Sequence, residues 1–266
     1  MDYEPGDHYR CLLMSDLHWD NPKCDRDRLK RDLDYAVREG LDIFLNGDTF
    51  CAMQGRYDGR RMKSDIREEH NTSTYLDDLV GTGIEWFLPY KDHIRLVGYG
   101  NHETSILKNC ETDILGRWVE GLNSYGAEIV LGGYGGWVVW SFSMESGNAM
   151  SYKLRYHHGS GGGGPVTRGT IQAQRMMASI HGADCIWQGH VHESWAMTNV
   201  VQTLNGNHRP ILKEVLHVRT PTYKEEYGEG MKGWHVERGA PPKPLGCYVL
   251  DLELRTKKVR ARAMPL

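Results

Sequence analysis

Five apolar runs in this 266-residue chain each stop at a cluster of Asp, Asn, His and Gly residues. Arg10–Ser15 leads into Asp16-Leu17-His18. Leu41–Asn46 leads into Gly47-Asp48, and Ile94–Tyr99 into Gly100-Asn101-His102-Glu103. Tyr152–His157 leads into His158-Gly159, and Asp184–Gln188 into Gly189-His190-Val191-His192. Short apolar runs bounded by turn residues read as buried strands. In open α/β sheets, ligands collect beyond the carboxyl ends of the strands. The pattern therefore places five polar loops, distant in sequence, at one rim.

Between the first three runs lie helical patterns. Leu29, Leu33, Ala36 and Val37 recur at helical spacing before Gly40, and residues 74–90 and 103–122 also read as helices. Strand and helix alternate here, as in an α/β layer with parallel pairing. Beyond residue 125 the rhythm turns to β: runs at 128–131, 137–143 and 152–157, a helix at 166–181, a strand at 184–188, runs at 194–203 and 210–219 about an Asn205-Gly206 turn, and a hairpin within 246–263. The predicted class is α/β passing into α+β, with two packed sheets in a single domain over 1–266. Residues 48–72 form a basic insertion over the rim, 224–244 a loop, and 202–266 a β-rich tail that completes or covers the second sheet.

Composition narrows the function classes. A chain of this length buries roughly 70–75% of its unfolded surface, so a full core forms without staples. The net charge of −3 argues against a general electrostatic DNA binder. No run approaches the 18 apolar residues of a membrane span, and Met1–Tyr9 is too acidic and polar for a signal peptide. Six cysteines without CxxC spacing suit reduced, buried thiols in a cytoplasmic protein. Histidine is abundant, with 13 residues, several beside Asp, Asn or Gly. Oxygen and imidazole donors without clustered thiols suit divalent ions such as Mn²⁺, Fe²⁺ or Zn²⁺.

The ordered blocks D-x-H, G-D, G-N-H-E, H and G-H-x-H resemble those of calcineurin-like metallophosphoesterases, over roughly residues 9–201. The resemblance implies a sandwich of two mixed sheets flanked by helices, with a dinuclear metal site at the strand ends. It implies that Asp16, His18 and His192 hold one ion, that Asn101, His158 and His190 hold the other, and that Asp48 bridges them. Two divalent ions are implied, Mn²⁺ first, with Fe, Zn, Ni or Mg as substitutes. A hydroxide bridging the ions would attack phosphorus in line, with His102 stabilising the phosphoryl oxygen or protonating the leaving group. The family places its ligand directly before a Gly, which selects His158 over His157. Adjacent strand residues face opposite ways, so His157 is left either to support a ligand or to pack, with packing favoured.

The substrate is read from what surrounds these blocks. Asp16-Leu17-His18-Trp19 and Gly47-Asp48-Thr49-Phe50 depart from the protein-phosphatase pattern and look more like the nuclease and phosphodiesterase branches, in bacterial or phage-type members. The expected reaction is hydrolysis of a phosphodiester in a nucleotide or short nucleic acid. A phosphomonoesterase, including a protein phosphatase, is the second enzyme reading, and a non-catalytic scaffold the third. Arg56, Arg60 and Arg61, with Lys63 and Arg67, are candidates to recruit phosphate. Arg168 follows the glycine run Gly161–Gly164 and Pro165, on a face shared with Gln172 and Arg175 of a helix beginning near Val166. Trp19 offers a stacking surface for a base or a packing contact.

Overall fold

Strand β1 (His8–Met14) has two apolar faces, and the fold follows from burying both. Leu12 and Met14 pack toward helices, while Cys11 and Leu13 pack toward a second sheet. In the computed structural model, which describes residues 1–52, 65–228, 234–237, 239–256 and 258–266, β1 pairs in parallel with β2 (Asp42–Asn46), and β2 with β3 (Ile94–Gly98). The short β4 (Val130–Leu131) extends this order in parallel. On the other side of β1 lie β10 (Tyr248–Leu254) and β11 (Val259–Pro265), both antiparallel to their neighbours. The first sheet thus has six strands, ordered β11-β10-β1-β2-β3-β4.

The second sheet has five strands, ordered β5-β6-β7-β9-β8. They are β5 (Gly135–Ser143), β6 (Ala149–His157), β7 (Cys185–Gln188), β8 (Trp195–Leu204) and β9 (Pro210–Arg219). Only β6, β7 and β9 run parallel; the two edges are antiparallel hairpins. Leu13, Phe44, Trp140, Leu154, Trp187 and Leu250 fill the layer between the sheets. Helices α1 (Arg26–Glu39), α2 (Tyr75–Phe87) and α4 (Ile114–Ser124) cover the outer face of the first sheet. Helix α5 (Thr170–Ser179) and the segment after it cover part of the second through Met176, Met177 and Ile180 against Ile186 and Val215. The expected architecture of two mixed sheets flanked by helices is the one observed.

Several local expectations are corrected. The helix read over 103–122 is two: α3 (Asn101–Cys110) ends where Glu111 turns left-handed at φ 53°, and Asp113 starts α4 by accepting from the Gly116 amide at 2.8 Å. The helix read from 166 begins at Thr170, because Arg168 (φ 46°) and Gly169 (φ 78°) are left-handed. Arg168 therefore shares no helical face with Gln172 and Arg175. Gln172 instead donates to the Gly162 carbonyl at 2.7 Å. The β8–β9 turn is not a two-residue loop: Leu204 pairs with Pro210, so 205–209 close it, with the Asn205 side chain accepting from the Asn207 and Arg209 amides. The tail at 202–266 divides between the sheets, with β9 in the second and β10–β11 on the edge of the first. The segment at 224–244 carries one helical turn, α6 (Trp234–Glu237).

A buried histidine sets an acid limit on this fold. His217 on β9 is 1% exposed, and burial, with Arg219 nearby, lowers its pKa to about 4. The unfolded chain takes up this proton near pH 6.5 and the folded chain only near 4, so stability is complete above 6.5 and falls as pH drops between the two. The loss is on the order of 3 kcal/mol by linkage. Urea titrations of His217→Leu should show a flatter stability profile between pH 6.5 and 4 than wild type. Parallel profiles would contradict this assignment.

Candidate metal centre

The parallel strands β1, β2 and β3 end at the same rim, and β6 and β7 end against it from the second sheet. The loop after β1 continues the pairing: the Asp16 amide donates to Gly47 O, His18 to Asp48 O and Trp19 to Thr49 O, each at 3.0 Å. Extended backbone would aim alternate side chains away from the rim. Instead Asp16 (φ 53°), His18 (φ 47°), Asp48 (φ 51°), His190 (φ 73°) and His192 (φ 56°) all adopt left-handed backbone, which is costly for non-glycine residues. Those reversals turn the side chains toward one point. Gly47 lies at a tight approach: at φ 81°, a Cβ there would stand 2.5 Å from His158 Nδ1 and 2.7 Å from Gly100.

All seven residues expected as ligands meet there. His18 Nε2 and His192 Nε2 face each other at 3.3 Å, and His192 Nε2 lies 3.3 Å from Asp16 Oδ1. His158 Nε2 lies 3.3 Å from Asp48 Oδ2, 3.2 Å from Asn101 Oδ1 and 3.9 Å from Asp16 Oδ1. His190 Nδ1 lies 2.7 Å from Asn101 Oδ1. Asp16, His18 and His192 form one group with ligand atoms within 4.8 Å of one another, and Asp48, His158 and His190 form a second.

The donor chemistry fits two divalent cations. Asp16 and Asp48 are both buried, with histidines as ion-pair partners. Burial alone would raise both carboxyls, but His158 and its neighbours hold them below their usual range. Burial alone would lower His158, yet the Asp48 and Asp16 carboxylates raise it to about 10. The site thus demands positive charge. The His158 ring donates Nδ1–H to Asn46 O at 2.7 Å, so its Nε2 points into the cluster, where a cation can take the place of a proton. The approach of two imidazole nitrogens, His18 to His192, is better satisfied by a cation between them than by each other.

The chain also supplies hydrogen bonds to both carboxylates. Asp16 accepts from the His190 amide at 2.9 Å and the Ser15 hydroxyl at 2.5 Å, and Asp48 Oδ1 accepts from the His102 amide at 2.9 Å. His102 donates Nδ1–H to Cys51 O at 2.6 Å, which leaves Nε2 toward the rim, 3.9 Å from Asp48 Oδ2. His157, by contrast, accepts from the Gly159 amide at 3.0 Å and packs on Tyr134, outside the cluster.

Two positioning carboxylates escaped the reading of the sequence. Glu103 is buried and accepts from the amides of Asp48 (3.1 Å), Phe50 (3.0 Å) and Gly100 (2.9 Å), joining two motifs. Burial and the Asp48 charge raise it to about 8. Asp20 accepts from the Cys51 amide at 2.5 Å and the Ala52 amide at 2.8 Å. A capping-box Glu at 103 was the available signal for the first; nothing local marked the second.

The expected substrate residues fare differently. Trp19 is corrected: it is 1% exposed, enclosed by Phe50, His70, Trp86 and Phe87, with the Arg26 guanidinium over its ring, so no base can stack on it. Arg56, Arg60, Arg61 and Lys63, and with them most of the expected basic loop, lie outside the described residues. Arg67 is spent on the Asn21 and Cys24 carbonyls. Arg168 lines a cavity of about 370 Å³ with Glu193, Lys243 and Pro241–Pro244. No disulfide joins the six cysteines, and no described helix is long and apolar enough to cross a membrane.

No protein-family model and no curated protein matches the chain. Solved structures do. GAP50, the anchor in the inner membrane complex of Plasmodium, is 10% identical over 97% of this chain and 84% of its own, with a TM-score of 0.47. The calcineurin-like phosphoesterase YfkN from Bacillus subtilis is 15% identical over 97% and 90%, with a TM-score of 0.39. A conserved uncharacterized protein, a predicted phosphoesterase, from Streptococcus pneumoniae is 13% identical over 98% and 99%, with a TM-score of 0.34. At these identities and scores, the functional reading rests on the chain's own residues.

Titration calorimetry with Mn²⁺ should find two ions per chain. His157→Ala should keep both, and His158→Ala should retain one at most. Loss of an ion in the His157 variant, with His158→Ala unaffected, would reverse the assignment.

Proposed function

We propose that this protein hydrolyses phosphoesters at a two-metal site, with phosphodiesters of a nucleotide or short nucleic acid as substrates. The observation that carries the reading is the convergence of seven ligand candidates from five strand-end loops, five of them non-glycine residues held in left-handed backbone. Such strain persists where surrounding structure enforces it, and it concentrates at functional sites. In this reading Asp16, His18 and His192 hold one cation, Asn101, His158 and His190 the other, and Asp48 bridges both.

When bound, the two cations supply Lewis acidity for the phosphate oxygens and make water nucleophilic at neutral pH. The chain does the rest. Asp48, pinned by Glu103 and the His102 amide, fixes the spacing of the two halves. His102 holds a proton on Nδ1 against Cys51 O, and in its doubly protonated form it gives the Nε2 proton to the departing oxygen as the P–O bond breaks, leaving the neutral imidazole. Tyr134 leans on the ligand His158 by an edge contact at 5.5 Å and donates its hydroxyl to Gly159 O, which limits movement of that loop.

Among the described residues, the buried Arg219 at the end of β9 and the partly buried Lys224 beyond it favour the diester. Arg219 donates to Gly189 O, Gly169 O and Gln188 Oε1, and Lys224 pairs with Glu226 at 2.9 Å. Both are committed to the protein. A singly charged diester needs fewer free cations than a dianionic monoester. With Mn²⁺, bis-p-nitrophenyl phosphate should turn over faster than p-nitrophenyl phosphate. Preference for the monoester would establish the phosphomonoesterase instead, and silence on both with metals bound would point to a scaffold. His102→Ala should keep both ions and lose about 10²–10⁴-fold in kcat; loss of metal in that variant would contradict its role.

A further inference from the structure

Cys51 stands apart from the other buried cysteines. Cys24 and Cys247 pack in the apolar cluster beneath the helices, and Cys11 and Cys185 between the sheets. Phe50 and Ala52, on either side of Cys51, belong to the first of these clusters, but Cys51 does not. Its side chain is fully buried among polar groups instead. His18, Cys51 and His102 bring one ligand atom each to within 4.8 Å of one another. The Asn21 amide donates Nδ2–H to Cys51 Sγ at 3.2 Å, while its own oxygen accepts from the Lys23 amide at 2.9 Å, which fixes the amide's orientation.

The backbone around the thiol is held on every side. Asp20 takes the Cys51 and Ala52 amides, His102 takes the Cys51 carbonyl, and Ala52 sits at φ 47°. This effort fixes one small side chain beside His18. His18 itself is 1% exposed, and its Nδ1 has no hydrogen-bond partner among the described residues. His18 is the residue common to the Cys51 group and the group with Asp16 and His192. Through this shared residue the sulfur adjoins the half of the site with Asp16 and His192.

We propose that Cys51 supplies a thiolate ligand to the cation held by Asp16, His18 and His192, making that half of the site favour a thiophilic divalent metal such as Zn²⁺ or Co²⁺. The proposal rests on the two-metal reading above. On binding, the Sγ lone pair forms the bond to the cation and the thiol proton passes to solvent; no electron is transferred. A sulfur ligand beside one carboxylate and two imidazoles shifts selectivity away from Mn²⁺ and Mg²⁺. The other half keeps only oxygen and nitrogen donors, so the two ions differ in kind.

Co²⁺ is the probe, read by absorption during titration of the full chain. Wild type should bind two Co²⁺ and develop a near-ultraviolet thiolate-to-cobalt charge-transfer band as one of them binds. Cys51→Ser and Cys51→Ala should lose the band while still binding Co²⁺, and should weaken Zn²⁺ binding more than Mn²⁺ binding. Cys24→Ser should keep the band. Two bound Co²⁺ ions without the band in wild type would overturn the role of Cys51 and leave the two-metal reading standing. No bound Co²⁺ would overturn both. The wild-type measurement decides the matter even if a Cys51 variant fails to fold.

Discussion

Two carboxylates, Asp16 and Asp48, are buried at the meeting edge of two sheets, and much of the local structure answers that fact. An isolated buried carboxylate is very costly unless it is paired and hydrogen-bonded. Here the pairing comes from imidazoles and the hydrogen bonds from backbone amides and a serine hydroxyl. Delivering those partners requires left-handed backbone at five non-glycine positions, at a cost on the order of 1–3 kcal/mol each. Such a cost makes sense if cations complete the site.

The core repays part of that cost by bracing the loops from behind. Trp187, buried between the sheets, donates to Thr220, whose hydroxyl lies 2.6 Å from Ser15 Oγ, and Ser15 in turn bonds Asp16. Thr222 donates to the Asp16 carbonyl, and Tyr223 donates its hydroxyl to Asp32 on α1 at 2.6 Å. On the other flank, Phe50 packs edge-on against Trp118 of α4, two residues from Asp48. Sheet packing, helix packing and ligand orientation are thus one connected structure, and a core substitution at Trp187 or Trp118 reaches the site through one to three contacts.

Much of this was legible in the sequence because strand, polar cluster and helix follow one another locally. The runs ending at Asp16, Asp48, Asn101, His158 and His190 each form a strand with its cluster at the expected end. The misreadings came where tertiary contacts decided. Trp19 follows His18 directly, but the left-handed turn at His18 sends it into the aromatic core. Tail strands β10 and β11 carry no signal of which sheet they join; their apolar residues suit either, and the choice is made by pairing with β1 across the chain. Asp20, and Glu103 beyond its local bond to the Gly100 amide, act through backbone amides up to 55 residues away, which no local spacing encodes.

Placement of the metals tests the central claim most directly. Crystals grown with Mn²⁺ and measured at the manganese absorption edge should show two anomalous peaks about 3.5–4 Å apart. One should lie among Asp16, His18 and His192, the other among Asn101, His158 and His190, with Asp48 between them. A single peak, or peaks away from these side chains, would contradict the account.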